Sequence, residues 1–566
     1  MKAQHPVLLW ILLLSLFAME SIRAENRLRE RIYIQTDKQI YLAGEQLWLK
    51  LYLTDAQGAP QSFSKVGYVE LIDENAPQIR QKIEIKNGIG NGMLMLPAQL
   101  STGYYRLIAY TRYMQNEGET VYFQKYIGVV NTLRLDQRIH TDTTLFVKPP
   151  SSGGNNLSVS TSNVIYTTRT QGEIRIEGLP DNVYSLAVSV AGEEFIPLPN
   201  EEETLLSWKQ KLSSLPEKDF QLNLLPEYEG PILNGQLVDA LTGEPTHDKT
   251  RMILGFSDDA LRMSGGEVDD DGQVSFHTGH VSGRHKLGIA FFPANENRYR
   301  VHLQSPFARF TPENLPRFAL NPAWEERLVQ RSVGVQVMYS FLIDSLYLPS
   351  GIAPPTIQWK PDYSYILNEY NRFDRMTTMF IEFIPYLGFH TVGDKRQLSV
   401  RTADYTLSGN SLMLFDGVPV NDGEFFYNLN TRLLNRVDVY QGRYFIAGHL
   451  FEGIGSFVSF EHNCPGLQNG DLLQLEEYEG TQPAYRFYAP SYTGDNRGDE
   501  RHRTPDYRHT LLWETDVQTN GQNTMVIPFS TSDLTGDYRI TIEGLTRDGQ
   551  PLRGIACFRV NPLSVP

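Results

Sequence analysis

Side chains able to do chemistry are plentiful in this sequence, but they do not stand at the spacings that chemistry requires. The twelve histidines are scattered, and none forms a His-Glu-x-x-His pair or joins a paired-cysteine motif, the arrangements that place zinc ligands together. His277 and His280 are neighbours at a strand end and turn, where solvated or core-satisfied imidazoles are the simpler reading. In Gly279-His280-Val281-Ser282-Gly283 the serine falls one position late for a nucleophile elbow, and Gly409-Asn410-Ser411-Leu412-Met413 lacks the second glycine. No phosphate-cradling Gly-x-x-x-x-Gly-Lys-Ser/Thr run occurs. Glu201-Glu202-Glu203 and Glu476-Glu477 supply adjacent acids, but a run of acids reads as a solvated face rather than an acid/base pair. Glu267-Val268-Asp269-Asp270-Asp271-Gly272 begins like a calcium loop, whose closure needs a glutamate where Thr278 stands. A tight acidic hairpin turn is expected there instead. The sequence thus predicts no catalytic residue, no metal ligand and no cofactor, and the chain is expected not to be an enzyme.

Bulk properties narrow the partners. Lys and Arg total 51 against 66 Asp and Glu, a formal charge of −15, whereas nucleic acids and anionic membranes select basic surfaces. Lys2, the apolar run from Val7 to Met19 and Ala24 read as a signal peptide over residues 1–24. That run is short for a bilayer span, and no comparable apolar stretch follows. No cysteine stands near the cleavage region for a lipid anchor. Cys464 and Cys557, the chain's two cysteines, would pair in an oxidising compartment if their backbones approach closely enough, so a disulfide between them is one expectation.

The elements that would position any site read as β-strands. From 25 to 135, apolar and polar residues alternate between turns at Gln57-Gly58, Asn87-Gly88 and Thr102-Gly103, predicting a half-buried sandwich. Leu47, Leu49, Leu51 and Leu53 share one strand face, and Trp48, Lys50 and Tyr52 the other. After the Ser/Gly/Asn cluster at 151–156, a second sandwich is expected over 157–225, in which Tyr166 and Gly172-Glu173 echo Tyr41 and Gly44-Glu45. A third, over 228–305, carries turns at Thr242-Gly243 and Asp271-Gly272. Asn321-Pro322 opens a helical linker, 321–348. An α+β domain over 360–465 and a C-terminal sandwich over 501–562 complete the expected order. The fold class is mainly β: tandem immunoglobulin-like or macroglobulin-like sandwiches plus one small α+β domain.

Tyr33-Ile34-Gln35-Thr36-Asp37-Lys38-Gln39-Ile40-Tyr41-Leu42-Ala43-Gly44-Glu45, with Gly103-Tyr104-Tyr105-Arg106 later, resembles a macroglobulin domain of the α2-macroglobulin superfamily. That resemblance implies a scaffold. Neither cysteine lies in the Gly-Cys-Gly-Glu-Gln run from which covalent-trapping members build a thioester. Gly235-Gln236-Leu237-Val238-Asp239 with Asp271-Gly272-Gln273-Val274-Ser275-Phe276 resembles the carboxypeptidase regulatory-like fold, which implies a non-catalytic docking module. Leu414-Phe415-Asp416-Gly417-Val418-Pro419-Val420 and Val437-Asp438-Val439-Tyr440-Gln441-Gly442 are similar to the plug domain of TonB-dependent outer-membrane receptors. The receptor barrel would need roughly twenty-two strands of about ten residues, and the sequence after Glu461 is far too short for it. Asp506-Tyr507-Arg508-His509 and Asp533-Leu534-Thr535-Gly536-Asp537-Tyr538 look like a further macroglobulin-type sandwich.

Together these resemblances imply an envelope scaffold, periplasmic or associated with the outer membrane, that binds an outer-membrane protein or receptor complex. A surface adhesin or carbohydrate-binding protein is the alternative, and a hydrolase with a cryptic site a third. Phe425, Phe426 and Tyr427, after Asp422-Gly423, are the candidate partner contacts, with core packing as their other possible role.

Overall fold

Alternation becomes sheet along most of the chain, and the computed structural model is mainly β. It describes residues 29–134, 140–145, 155–193, 196–200, 202–215, 220–258, 261–292, 298–349, 360–401, 411–468, 473–492, 504–519 and 521–563. The expected leader, 1–24, lies outside these. The described residues divide into two compact units: one holds those up to Tyr228, those from Arg309 towards Gly351 and those from Gln482 on, and the other holds Glu229–Ala308 with those from Ile352 to Thr481.

In the first unit, eight strands between Glu30 and Val130 form the N-terminal sandwich. Gln46–Asp55 runs antiparallel to Glu30–Thr36 and to Ile89–Met95, setting Ile32 opposite Leu53 and Leu47 opposite Leu94. The leucine face of Gln46–Asp55 fills this core, and its other face is covered too: Trp48, Lys50 and Tyr52 are all buried. A second sandwich covers them. Lys50 Nζ donates to the carbonyls of Leu186 (3.0 Å) and Thr515 (2.6 Å), and the Tyr52 hydroxyl donates to that of Glu543 (3.3 Å). The two acceptors take two of the ammonium's three donors and bring no counter-charge, and burial holds Lys50 down to about 7.

That second sandwich corrects the expected order of domains. Its sheets are Ser158–Thr161, Gln171–Glu177 and Thr524–Ser530 on one side, and Ile165–Thr167, Pro551–Asn561, Gly536–Thr546, Val183–Gly192 and Thr510–Glu514 on the other. The segments 157–225 and 501–562, read as two sandwiches, are halves of one. Gln171–Glu177 pairs along its length with Thr524–Ser530, and Val183–Gly192 lies between Thr510–Glu514 and Gly536–Thr546. Neither half has enough strands to cover its own apolar face.

The echo between the two sandwiches has a structural counterpart. Ile40–Leu42 and Ile165–Thr167 are three-residue strands that pair parallel with the last strand of their sandwich, Phe123–Val130 and Pro551–Asn561 respectively. In each, the central tyrosine hydroxyl reaches back to the preceding turn. Tyr41 donates to Asp37 Oδ1 (2.8 Å) and the Lys38 carbonyl, while Tyr166 meets Ser162 Oγ (2.9 Å) and accepts from Asn163 N–H.

Between the halves stand two helices of this unit. Leu205–Leu212 starts at a Thr204/Ser207 capping box and sets Trp208 against Tyr33, 5.6 Å between ring centroids. Asn321 caps Pro322–Trp324, which leads into Glu325–Leu346. From this helix Arg331 grips Glu45 with both arms of its guanidinium (2.8 and 2.7 Å) and donates to the Ile40 carbonyl. Burial alone would raise the Glu45 carboxyl, but Arg331 and Lys38 outweigh it and hold the group below its usual range.

The second unit repeats the insertion. Ile232–Asp239, Gln273–His277 and Tyr299–Leu303 form one sheet of a sandwich; Met263–Glu267, Arg251–Phe256, Arg284–Phe292 and Leu473–Glu479 form the other. The boundary 228–305 therefore omits a strand. Leu473–Glu479 pairs with Arg284–Phe292, and the Gln474 amide exchanges two hydrogen bonds with the Val301 backbone (2.8 and 2.7 Å).

Inside that sandwich's sequence sits the α+β module, a sheet ordered Tyr363–Ile366, Leu434–Tyr440, Ile454–Ser459, Leu412–Phe415, Val418–Pro419, with helices Met376–Glu382 and Gly423–Asn428. Asp416-Gly417 makes the hairpin turn at positive φ (49° and 83°) that this dipeptide favours. Val418 from the turn packs on Gly288, where any side chain would collide with it.

Candidate functional site

The aromatic run after Asp422 separates into three environments. The Asp422 carboxylate caps Gly423–Asn428 by accepting from Glu424 and Phe425 N–H, and this fixes which way the short helix faces. Phe426 is fully buried against Phe457 at 4.7 Å, so it is a core residue and not a partner contact. Phe425 is partly buried and leans on Phe415. Tyr427 keeps 38 % of its surface, with the Arg396 guanidinium 3.6 Å above its ring.

Other residues singled out in the sequence are structural. Asp269 closes the acidic hairpin by accepting from Asp271 and Gln273 N–H (2.9 and 2.8 Å). His280 offers its carbonyl to Arg262. The expected disulfide is absent: Cys464 and Cys557 are both free thiols. Cys464 is buried in the α+β core, its Sγ donating to the Phe415 carbonyl, and burial beside Asp416 raises its thiol far above the ordinary range. Cys557 lies on Pro551–Asn561 of the other unit and is exposed, so pairing would require opening the core around Cys464.

Two places among the described residues have binding capacity that their own fold does not use. The first is the edge of the α+β sheet. Tyr363–Ile366 pairs only on one side, with Leu434–Tyr440, and among the described residues no strand adds to its other edge. Tyr363, Ile366 and the nearby Tyr370 keep 37, 45 and 39 % of their surface. Tyr363 stacks on Tyr386 at 4.0 Å, and Tyr370 on Phe383 at 4.3 Å. An open strand edge beside preorganised exposed aromatics offers backbone hydrogen bonds and apolar contact together.

The second is a cavity of about 530 Å³ in the first unit, between Glu30–Thr36, Phe123–Val130, residues of 196–200 and 202–210, and the C-terminal strands. At one wall Glu543 is buried, with Tyr33 OH donating to Oε2 (2.6 Å), Leu205 N–H to Oε1 (3.3 Å) and Arg553 3.7 Å away. Burial pushes this carboxyl up, against the opposing pull of the Tyr33 hydrogen bond and Arg553. Glu202 is paired with Arg539 at 2.7 Å. Lys125 donates to Thr36 Oγ1 (2.7 Å) and the Ile34 carbonyl (3.4 Å). Sequence reasoning missed this site because its residues come from both ends of the chain and stand in strands that look ordinary one by one.

No protein-family model and no curated protein matches this chain. Among solved structures, the native conformation of *Escherichia coli* α2-macroglobulin aligns at 11 % identity and a TM-score of 0.24, over 94 % of this chain and 40 % of that one. *Salmonella* α2-macroglobulin reacted with methylamine aligns at 9 % and 0.24, over 95 % and 40 %. The *E. coli* adhesin FdeC aligns at 13 % and 0.14, over 48 % and 63 %. The chain thus spans about two fifths of the macroglobulins it is similar to.

Proposed function

We propose that this chain is an exported, non-catalytic scaffold of a Gram-negative-type cell envelope that binds an outer-membrane protein, and that the open edge of its α+β module is the contact. The observation that carries this reading is the edge strand Tyr363–Ile366, which among the described residues pairs with a strand on one side alone and carries the exposed Tyr363 and Ile366, with exposed Tyr370 nearby. A protein strand laid along it would complete the backbone pairing and cover those side chains. The acidic net charge fits a protein partner better than a nucleic acid or an anionic membrane, and among the described residues no helix is long and apolar enough to cross a membrane. In this reading the α+β module is plug-like, and the sandwich around it is regulatory-like and serves as a spacer.

The test is an affinity pull-down of the tagged protein from detergent-solubilised envelopes, with mass spectrometry after a salt wash. Wild type should retain an outer-membrane barrel at near-stoichiometric yield, and Ile366→Asp with Tyr370→Ser should lose it. Equal recovery by the variant would remove the edge from the reading. Recovery of no partner, with the protein protease-accessible on whole cells, would favour the adhesin.

A further inference from the structure

Five carboxylates and four cations line the cavity in the first unit, and among the described residues two of these charges, Glu193 and Lys125, make no ion pair. Asp37 is satisfied by Tyr41 OH, Thr510 Oγ1 (2.6 Å) and Lys38 (3.0 Å), and Glu202 by Arg539. Glu203 pairs with Lys211, and Glu543 takes the Tyr33 proton donor with Arg553 nearby. Lys125 is different: among the described residues no carboxylate lies within the 4.0 Å of an ion pair, and its two hydrogen bonds go to neutral oxygens. An ammonium carries three donors, so one is left to face the cavity Lys125 lines.

A second, independent feature points the same way. Gln35 is 2 % exposed and lines the same cavity. Its Oε1 shares the Tyr52 hydroxyl proton with the Glu543 carbonyl, each 3.3 Å away, whereas its Nε2 has no partner. Leaving a buried amide nitrogen unpaired is unfavourable, a cost that a bound acceptor would relieve. The remaining wall is mixed, with Ile196, Leu198 and Leu206 giving it an apolar side. The volume is in the range of small-molecule pockets, roughly 300–1,000 Å³.

We propose that this cavity binds an organic carboxylate with an apolar body, its carboxylate taken by Lys125 and Gln35. The end of a short peptide and an acyl carboxylate share that chemistry, and the titration separates them. Burial holds the Lys125 ammonium down to about 8, against the raising pull of the surrounding acids. Affinity should therefore fall as pH rises through that value, when the donor loses its charge.

The full chain is titrated by calorimetry with tri-alanine, with tri-alanine C-terminal amide and with octanoate. At least one carboxylate should bind saturably, and the amide should bind about ten- to a hundredfold more weakly than the acid if the peptide is the ligand, the span expected for losing one charge-assisted hydrogen bond. Lys125→Met, which keeps the stem and removes the charge, should show a loss of the same size and no pH dependence near 8. Gln35→Glu, which sets a like charge against the ligand, should also weaken binding. Tri-alanine alone binding assigns the peptide source, octanoate alone the acyl source. The proposal is overturned if neither carboxylate binds, if the amide equals a binding acid, or if a folded Lys125→Met binds as wild type does. Should thermal melting show that Lys125→Met does not fold, Gln35→Glu and the pH dependence of wild type decide.

Discussion

Deleting residues 504–566 distinguishes a split sandwich from two sandwiches in series. In the series reading, the deletion removes one domain and leaves 157–225 folded. In the observed topology, the C-terminal segment supplies nine of the seventeen buried residues of the shared core, from Leu511 to Val560. At about 1.5–3 kcal/mol for each buried apolar side chain, that is roughly 13–27 kcal/mol of burial. A whole domain is stable by only about 5–15 kcal/mol, so even a figure lowered for a compact unfolded chain exceeds what the N-terminal half can lose. The deletion also removes the Thr515 carbonyl from Lys50, Thr510 from Asp37 and Glu543 from Tyr33, leaving a buried ammonium short of an acceptor. The assay is hydrogen exchange with limited proteolysis. Gln171–Glu177 and Val183–Gly192 should lose protection entirely, while the α+β core around Phe426 and Phe457 keeps it. Adding the 504–566 segment in trans should restore part of the protection. Full-length protection of Val183–Gly192 in the deleted chain would refute the topology.

Two further predictions concern buried charge. Asp416 accepts from Ser459 N–H (2.6 Å), Ser459 Oγ (2.7 Å) and Cys464 N–H (2.8 Å), so Asp416→Ala orphans buried donors and should cost roughly 2–6 kcal/mol. Thiol labelling reads the result directly: wild type should show one fast thiol, Cys557, and the variant two, because Cys464 loses its clamp; unchanged single-phase labelling would count against the clamp. Lys50 has its folded pKa lowered to about 7 from 10.5. Between those values the unfolded chain binds the extra proton, so stability should rise with pH across that window. Lys50→Met should flatten the rise in thermal melting measured from pH 7 to 10; an equally steep rise in the variant would show that other groups produce it.

The sequence told more about strands than about their partners. Thr510–Trp513, Met525–Phe529, Tyr538–Ile542 and Ile555–Val560 were all legible as alternating runs, and all lie within observed strands. Alternation states which face of a strand is buried and is silent on which strand buries it. The available clue was arithmetic: 157–225 offers too few strands to close two sheets. Gln35 and Lys125 are illegible as cavity residues, and Lys50 as a buried one, because polar residues at alternate positions read as a wet face. Here that face is covered by a second sandwich built from the far end of the chain. Phe426 failed as a surface candidate for a smaller reason, since the Asp422 cap turns the short helix so that this ring points inward.

The nesting has a consequence for how the site is made. The outer sandwich opens at Ser158 and closes only with Pro551–Asn561; the inserted sandwich opens at Ile232 and closes with Leu473–Glu479; the α+β module lies within both. Each outer layer therefore depends on the return of the chain from the layer inside it, a loop-closure entropy that a compact, already folded insertion reduces by bringing its two ends together. The order of dependence runs from inside outward. The α+β module, with its turn at Asp416 and its core around Phe426, is closed by local sequence and can fold first. The cavity holding Lys125, Gln35 and Glu543 is completed last, because Glu543 and Arg553 belong to the final strands. A ligand held there would bind only a fully closed first unit, which makes carboxylate binding a reporter of the completed fold as well as a function of it.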